Sequence, residues 1–339
     1  MEILIAAIKI AIVLGALLTT VAYTVLVERK VAAAIQNRIG PNRVGWKGML
    51  QPLADVLKLV TKEDIVPTNA NSFLHDLAPV ISIVVALTTF AVIPFGNRLV
   101  LFGQEIKLQI ADVNIGILYV LALTSLGVYG VTLSGWSSNS KYSLLGGLRS
   151  SAQMISYELA MGLSLIGVIM IAGTLQLDKI VEAQAGWRWN IVLQPVGFVL
   201  FVISAFAETN RLPFDLPEAE PELVGGYHTE YSGLKFGLFF LAEYANMVTA
   251  SAIITTIYLG GWQVPFLHNI GLSDTWVALI QVLGFCLKVC FLVLFFIIIR
   301  WTIPRFRYDQ LMRLGWKVML PLSIVNLLAT GIAILAGVL

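Results

Sequence analysis

Three carboxylates and one amine lie inside long apolar runs of this chain: Glu158 in SAQMISYELA, Glu208 at the head of AETNRLPFDLPEAEPELVGGYHTEYSG, Glu243 in FGLFFLAEYANM, and Lys288 between Cys286 and Cys290. Ionisable groups in hydrocarbon cost about 2.5 to 3.5 kcal/mol each on an insertion scale, so those retained there have a task or a partner. Clustered carboxylates suit proton handling, because burial and like-charged neighbours spread their affinities for protons. They suit a cation site equally well. The plainer alternative is structural: Glu158 and Glu243 pair with Lys288 and with polar groups to fix helix packing. No opposite charge accompanies Lys288 on its own run, so it faces a carboxylate or a carbonyl from another segment.

The segments that must hold these groups follow from composition. With 339 residues, 58% hydrophobic and only 12% charged, and with a mean hydropathy of +0.85, the chain lies far outside the range of a water-soluble domain. A membrane span needs about 20 apolar residues. Eight segments qualify, at about 3–27, 77–96, 113–135, 151–175, 191–207, 236–259, 276–299 and 318–339. The expected architecture is therefore all-α: one integral membrane domain over 1–339, with eight transmembrane helices.

Sixteen of the 22 Lys/Arg fall in the odd-numbered connections and their flanks, and four in the even-numbered ones. By the positive-inside rule both termini lie outside, and the acidic stretch Ala207 to Gly233 lies inside. The rule gives acids little weight, so that stretch does not disturb the orientation. Glu158 and Glu243 then enter from the same side, each roughly 10 to 12 Å deep at 1.5 Å per residue.

In GWKGMLQPLADVLKLVTKED, residues Trp46, Met49, Leu50, Leu53, Leu57 and Val60 recur at helical spacing. This pattern predicts an amphipathic helix in the first inner loop, lying in the interface or on a partner, with Pro52 in its first turn or at a kink. The N-terminal run reads as a retained span rather than a cleaved leader. Trp136, Trp187, Trp189 and Trp301 stand at span ends as interfacial anchors.

Several functions are excluded. A net charge of +2, without a basic stripe carrying aromatics, gives no nucleic-acid surface. Cys286 and Cys290 form no ligand motif, and His75, His228 and His268 are too scattered to face one another as haem ligands. No glycine-rich phosphate motif is present. Redox chemistry and nucleotide binding thus belong to other chains.

The blocks ERKVAAAIQNRIGPNRVG, QPLADVLKL, SGWSSNSKYSLLGGLRSSAQMISYE, AETNRLPFDLPEAEPELVGGYHTEYSG, FLAEYANM and PRFRYDQLMRLGWK resemble, in order and over almost the whole chain, the membrane subunit of respiratory complex I, the NADH:quinone oxidoreductase, that joins its redox domain to its proton pumps. The resemblance implies a membrane-arm subunit that builds the mouth and wall of a quinone cavity. Quinone is then a substrate, nothing is covalently bound, and flavin and iron–sulfur clusters sit in partner subunits of the hydrophilic quinone module. Other partners are the remaining membrane-arm subunits and the lipid of a bacterial inner membrane.

Carried onto this sequence, the wall and mouth are Glu28, Arg29, Arg38 and Arg43, then Asp55 and Lys58, then Arg300, Arg305 and Arg307. The family's carboxylate line matches Glu158, Glu208 and Glu243, fed by Asp215, Glu218, Glu220, Glu222 and Glu230. The residues themselves add Lys288. Two positions depart from the family pattern: Pro221 stands where serine is common, and Asn37 where bacterial relatives often have aspartate.

The alternatives are the corresponding subunit of a related membrane-bound hydrogenase or dehydrogenase, and a free-standing cation transporter. An inverted repeat, which would favour the transporter, is not visible.

Overall fold

The computed structural model describes residues 2–101, 104–186, 188–216, 223–265, 267 and 273–338. Long apolar stretches have no water to satisfy their backbone and so close their hydrogen bonds within helices. In chain order these are α1 (Glu2–Ile35), α2 (Gln51–Thr61), α3 (Ser72–Thr89), α4 (Gly116–Ser137), α5 (Lys141–Ala172), α6 (Leu177–Ala183), α7 (Asn190–Leu193), α8 (Pro195–Glu208), α9 (Gly233–Tyr258), α10 (Asp274–Thr302), α11 (Tyr308–Arg313) and α12 (Leu320–Leu335). A π-turn, Leu314–Met319, joins the last two into one rod.

Among the described residues, seven helical stretches are long and apolar enough to cross a membrane. The remaining expected segment, 191–207, is shorter and broken. Its apolar helix α8 has 14 residues, and the chain leaves helical geometry at Gln194, just before the imide of Pro195. The Gln194 amide is tied to α12 instead, donating to Thr330 Oγ1 at 2.7 Å and accepting from Asn326 Nδ2 at 3.0 Å. At about 1.5 Å per residue α8 spans only ~21 Å, less than a ~30 Å hydrocarbon core. Glu208, its last residue, therefore stays within the bundle.

Helix ends are specified locally. The Asn71 side chain caps α3 by accepting from the Leu74 N–H at 3.3 Å. Gly173 ends α5 in the left-handed region, at φ 66°. The long helices pack as neighbours in sequence, α3 on α4, α4 on α5 and α5 on α8, while α9 runs through the middle against α3, α10 and α1. Tyr157, Tyr258, Trp262 and Phe296 fill the shared core. Most of α1 is exposed, as a helix facing lipid would be.

The α4–α5 corner needs backbone-to-backbone approach. A Cβ on Gly135 would lie 2.5 Å from the Ser143 carbonyl oxygen, and one on Gly146 would lie 2.7 Å from the Gly226 Cα.

Between α3 and α4 a hairpin absent from the sequence expectations pairs β1 (Arg98–Leu101) with β2 (Gln104–Lys107), Arg98 opposite Lys107. Lys9, inside the first apolar run, donates to the carbonyls of Lys107 and Gln109 at 3.1 and 3.3 Å. The amphipathic helix α2 begins at Gln51 with Pro52 in its first turn, and Trp46 lies in a separate 3₁₀ turn. Leu53, Val56, Leu57 and Val60 of α2 are all exposed.

Candidate functional site

A cavity of about 310 Å³ opens between α1, α2 and α9, beside the amphipathic helix. Val21, Ala22 and Val25 of α1, Val56 and Leu59 of α2, and Phe236, Phe240 and Leu241 of α9 make its wall apolar. Its polar residues are few: Arg29, Asp55, Lys58 and Tyr244. Arg29 Nη1 and Asp55 Oδ2, 2.7 Å apart, fasten α1 to α2 at the rim. An elongated apolar wall with a few polar groups suits a molecule with a long hydrocarbon tail and a polar head.

Behind Tyr244 lies a buried ion network. Glu28, 5% exposed, accepts from Tyr244 Oη at 2.7 Å, from Arg211 Nη1 at 3.3 Å and from Arg300 Nη1 at 2.5 Å. On its other side Arg211 Nε meets Glu243 Oε1 at 2.5 Å, and the guanidinium stacks 4.0 Å from the Tyr244 ring centroid. Burial opposes the charge on Arg211, but Glu243, Tyr244 and Glu28 outweigh it and hold the guanidinium above its ordinary pKa.

The loop that carries Arg211 is pinned from α5. Gln153 Nε2 donates to the carbonyls of Ala207 and Phe214 at 2.8 and 2.7 Å, and to Asn210 Oδ1 at 3.2 Å. Asn210 takes the left-handed conformation, at φ 49°, and the Leu212–Pro213 peptide is cis. Further along, Asp215 pairs with Arg305 at 2.9 Å.

Glu243 also lines a small inner cavity, and Glu208 lies on its wall as well. A second inner cavity shares Glu208 and continues between α4, α5, α8 and α9 as far as Ile257, toward the C-terminal end of α9. Thr124 of α4 faces the Glu208 carboxylate, on which Glu158 of α5 acts as a like charge. Glu158 in turn accepts a hydrogen bond from Ser125 of α4. The bundle therefore brings Glu28, Arg211, Glu243, Glu208 and Glu158 into one series leading inward from the apolar cavity.

Comparison with known proteins bears on this arrangement. Residues 8–331 match the pattern of the NADH dehydrogenase family. A "NADH-quinone oxidoreductase subunit 8" of Rhodothermus marinus is 53% identical over 335 residues, covering 95% of this chain and 96% of the relative. An NADH-quinone oxidoreductase subunit of Geobacter metallireducens is 54% identical over 323 residues, covering 95% and 94%. Another, of Cytophaga hutchinsonii, is 52% identical over 313 residues and 92% of each chain. The chain belongs to the NADH dehydrogenase family.

Not every sequence-derived candidate joins the series in this NADH dehydrogenase family member. Arg38, Arg43 and Arg307 are exposed and line none of the cavities described; Arg38 donates to Gln36 at 2.6 Å and Arg307 pairs with Asp309 at 3.4 Å. Glu230 precedes α9 and lines neither inner cavity. Lys288 lies apart from the glutamates. Its ammonium donates to the carbonyls of Leu259, Gly261 and Gln263 at 2.8, 2.9 and 2.8 Å and sits 4.6 Å from the Trp189 ring centroid. Glu218, Glu220, Pro221, Glu222, Trp187 and His268 lie outside the described residues.

Two central groups were not among the candidates. Arg211 had one signal, as the lone base in the acidic stretch. Tyr244 adjoins Glu243, but nothing in its type or spacing marks it as a ligand of Glu28.

Proposed function

We propose that this chain is the membrane-arm subunit of a proton-translocating NADH:quinone oxidoreductase that forms the quinone portal and couples quinone reduction to a line of carboxylates. The observation that carries the reading is the Glu28–Arg211–Glu243 network, which joins the apolar cavity behind Tyr244 to the inner cavities. The quinone tail would lie along α1, α2 and α9, with Arg29, Lys58 and Arg300 near the water boundary to attract the charge that builds on a reduced headgroup. Flavin and iron–sulfur chemistry is assigned to partner subunits of the hydrophilic arm, as the resemblance implies.

A change of charge beside Glu28 alters the field on Arg211 and so the hold of Arg211 on Glu243. Released from that pairing, Glu243 gains affinity for a proton, which the cavity it shares with Glu208 would carry to that residue, with Glu158 acting on Glu208 as a neighbouring like charge. The side bearing the network is the inner face of a bacterial plasma membrane, with both termini on the outer face. The names borne by the relatives favour this assembly over a hydrogenase or a free-standing transporter.

The test is Glu208→Gln and Glu243→Gln in the intact assembly. Quinone-linked turnover and proton pumping fall at least about tenfold, a loss of ~1.4 kcal/mol or more in transition-state stabilisation, while electron transfer from NADH to artificial acceptors at the flavin is unchanged. Normal quinone reduction and pumping in both variants would overturn the reading.

A further inference from the structure

Glu243, Asn246 and Thr249 recur every three residues on α9 and so share one face. Asn246 stands at the junction of the two inner cavities, lining both together with Glu208, Thr209 and Thr124. No hydrogen bond to its side-chain amide is made by any described residue. One turn on, the Thr249 hydroxyl is 3% exposed, lines the outer of the two cavities and is likewise without a partner among the described residues.

An amide offers two donors and two acceptor sites, and that of Asn246, which is half-buried, meets none of them with a described residue. Both cavities have room to satisfy it. They leave about 30 and 40 Å³ open to the centre of a water molecule, against the ~10–15 Å³ that one water requires. Ordered water also needs two to four polar partners, and Glu208, Thr124 and Asn246 supply them within the same walls.

We propose that Asn246 is a positioning residue for proton transfer between Glu243 and Glu208, its amide orienting water in the joined cavities. In each transfer one carboxyl O–H breaks as its proton passes to a water oxygen, and an O–H of that water, or of the next, breaks as its proton passes to the other carboxylate. Waters are restored and no electrons are exchanged. The amide donates and accepts hydrogen bonds but gives up no proton. The inference rests on the proposed function, since it supposes that the two glutamates exchange protons.

The test compares Asn246→Leu, which keeps the shape of the amide and removes its hydrogen bonding, with Asn246→Ser, which keeps a hydroxyl and leaves space for one more water. Both are made in the complete complex, with assembly followed by NADH oxidation at the flavin. Asn246→Leu is expected to lose at least about tenfold in quinone-linked turnover and to show a larger solvent deuterium isotope effect. Asn246→Ser is expected to stay within about threefold of the unaltered protein, less than ~0.7 kcal/mol. Should the leucine form fail to assemble, Asn246→Val, closer in volume to asparagine, carries the same expectation. Unimpaired turnover with an unchanged isotope effect in the apolar variants overturns the inference, as does a serine form slower than a third of the unaltered rate. If Glu208→Gln or Glu243→Gln is impaired and Asn246→Leu is not, this inference alone fails; if Glu208→Gln and Glu243→Gln are both normal, the proposed function fails.

Discussion

At the scale of single residues, Arg211 holds two carboxylates that approach it from α1 and α9, Glu28 and Glu243. Removing one member of a buried ion network strands the others, at a cost of about 3–5 kcal/mol. Arg211→Met is therefore expected to lower the melting temperature of the purified complex and to abolish quinone-linked turnover, whereas an exposed pair such as Arg307 with Asp309 contributes ~1 kcal/mol or less. Unaltered melting in Arg211→Met would contradict the stranded-charge argument. His228 gives a pH prediction for the loop before α9. Burial pushes its imidazole down to about 4 from an ordinary value of 6.5. The folded loop keeps the ring neutral while an unfolded one would take up a proton, so the contribution to stability is complete above the ordinary value and declines as pH falls from there toward the folded value. Hydrogen exchange of residues 223–232, corrected for intrinsic rate, should quicken between pH 7.5 and pH 5. His228→Gln should remove that change. Of these residues the sequence marked Arg211 by its isolation among acids, but it could not mark Glu28 as its partner: 183 positions separate them.

At the scale of elements, the α4–α5 corner and the loop after Gly225 meet at glycine backbones. Gly146→Val would drive a side chain into the Gly226 main chain, a displacement costing roughly 1–3 kcal/mol by overpacking. Its expected signature is reduced assembly on a native gel, with normal specific turnover in whatever assembles. Gly162, with nothing within 4 Å of a built Cβ, is the control, and Gly162→Ala should assemble fully. Hydrophobic periodicity located α2, because an amphipathic pattern needs only local spacing, but left Pro52 either in the first turn or at a kink; the structure puts it in the first turn. The same reasoning could not see that 191–207 breaks at Gln194. An apolar run looks continuous to a hydropathy window, and the break is stabilised by Thr330 and Asn326 from the far end of the chain.

At the scale of the whole molecule the charges divide by depth. The glutamate series lies along the first half of α9 and at the end of α8, while Lys288 closes the C-terminal end of α9 through three carbonyls. Lys288→Met is expected to lower the thermal stability of the complex, since it leaves those carbonyls without a donor, yet to preserve turnover per assembled molecule. A selective loss of pumping with unchanged stability would instead return Lys288 to the proton path. The sequence by itself determined the all-helical membrane class and which ionisable residue types fall within the apolar runs, because composition and span length act locally or in sum. Only the tertiary structure decided which charges meet. Glu243 reaches Arg211, Glu208 ends on a short helix within the bundle, and Lys288 faces carbonyls rather than carboxylates, because these pairings are set by helix packing across distant segments.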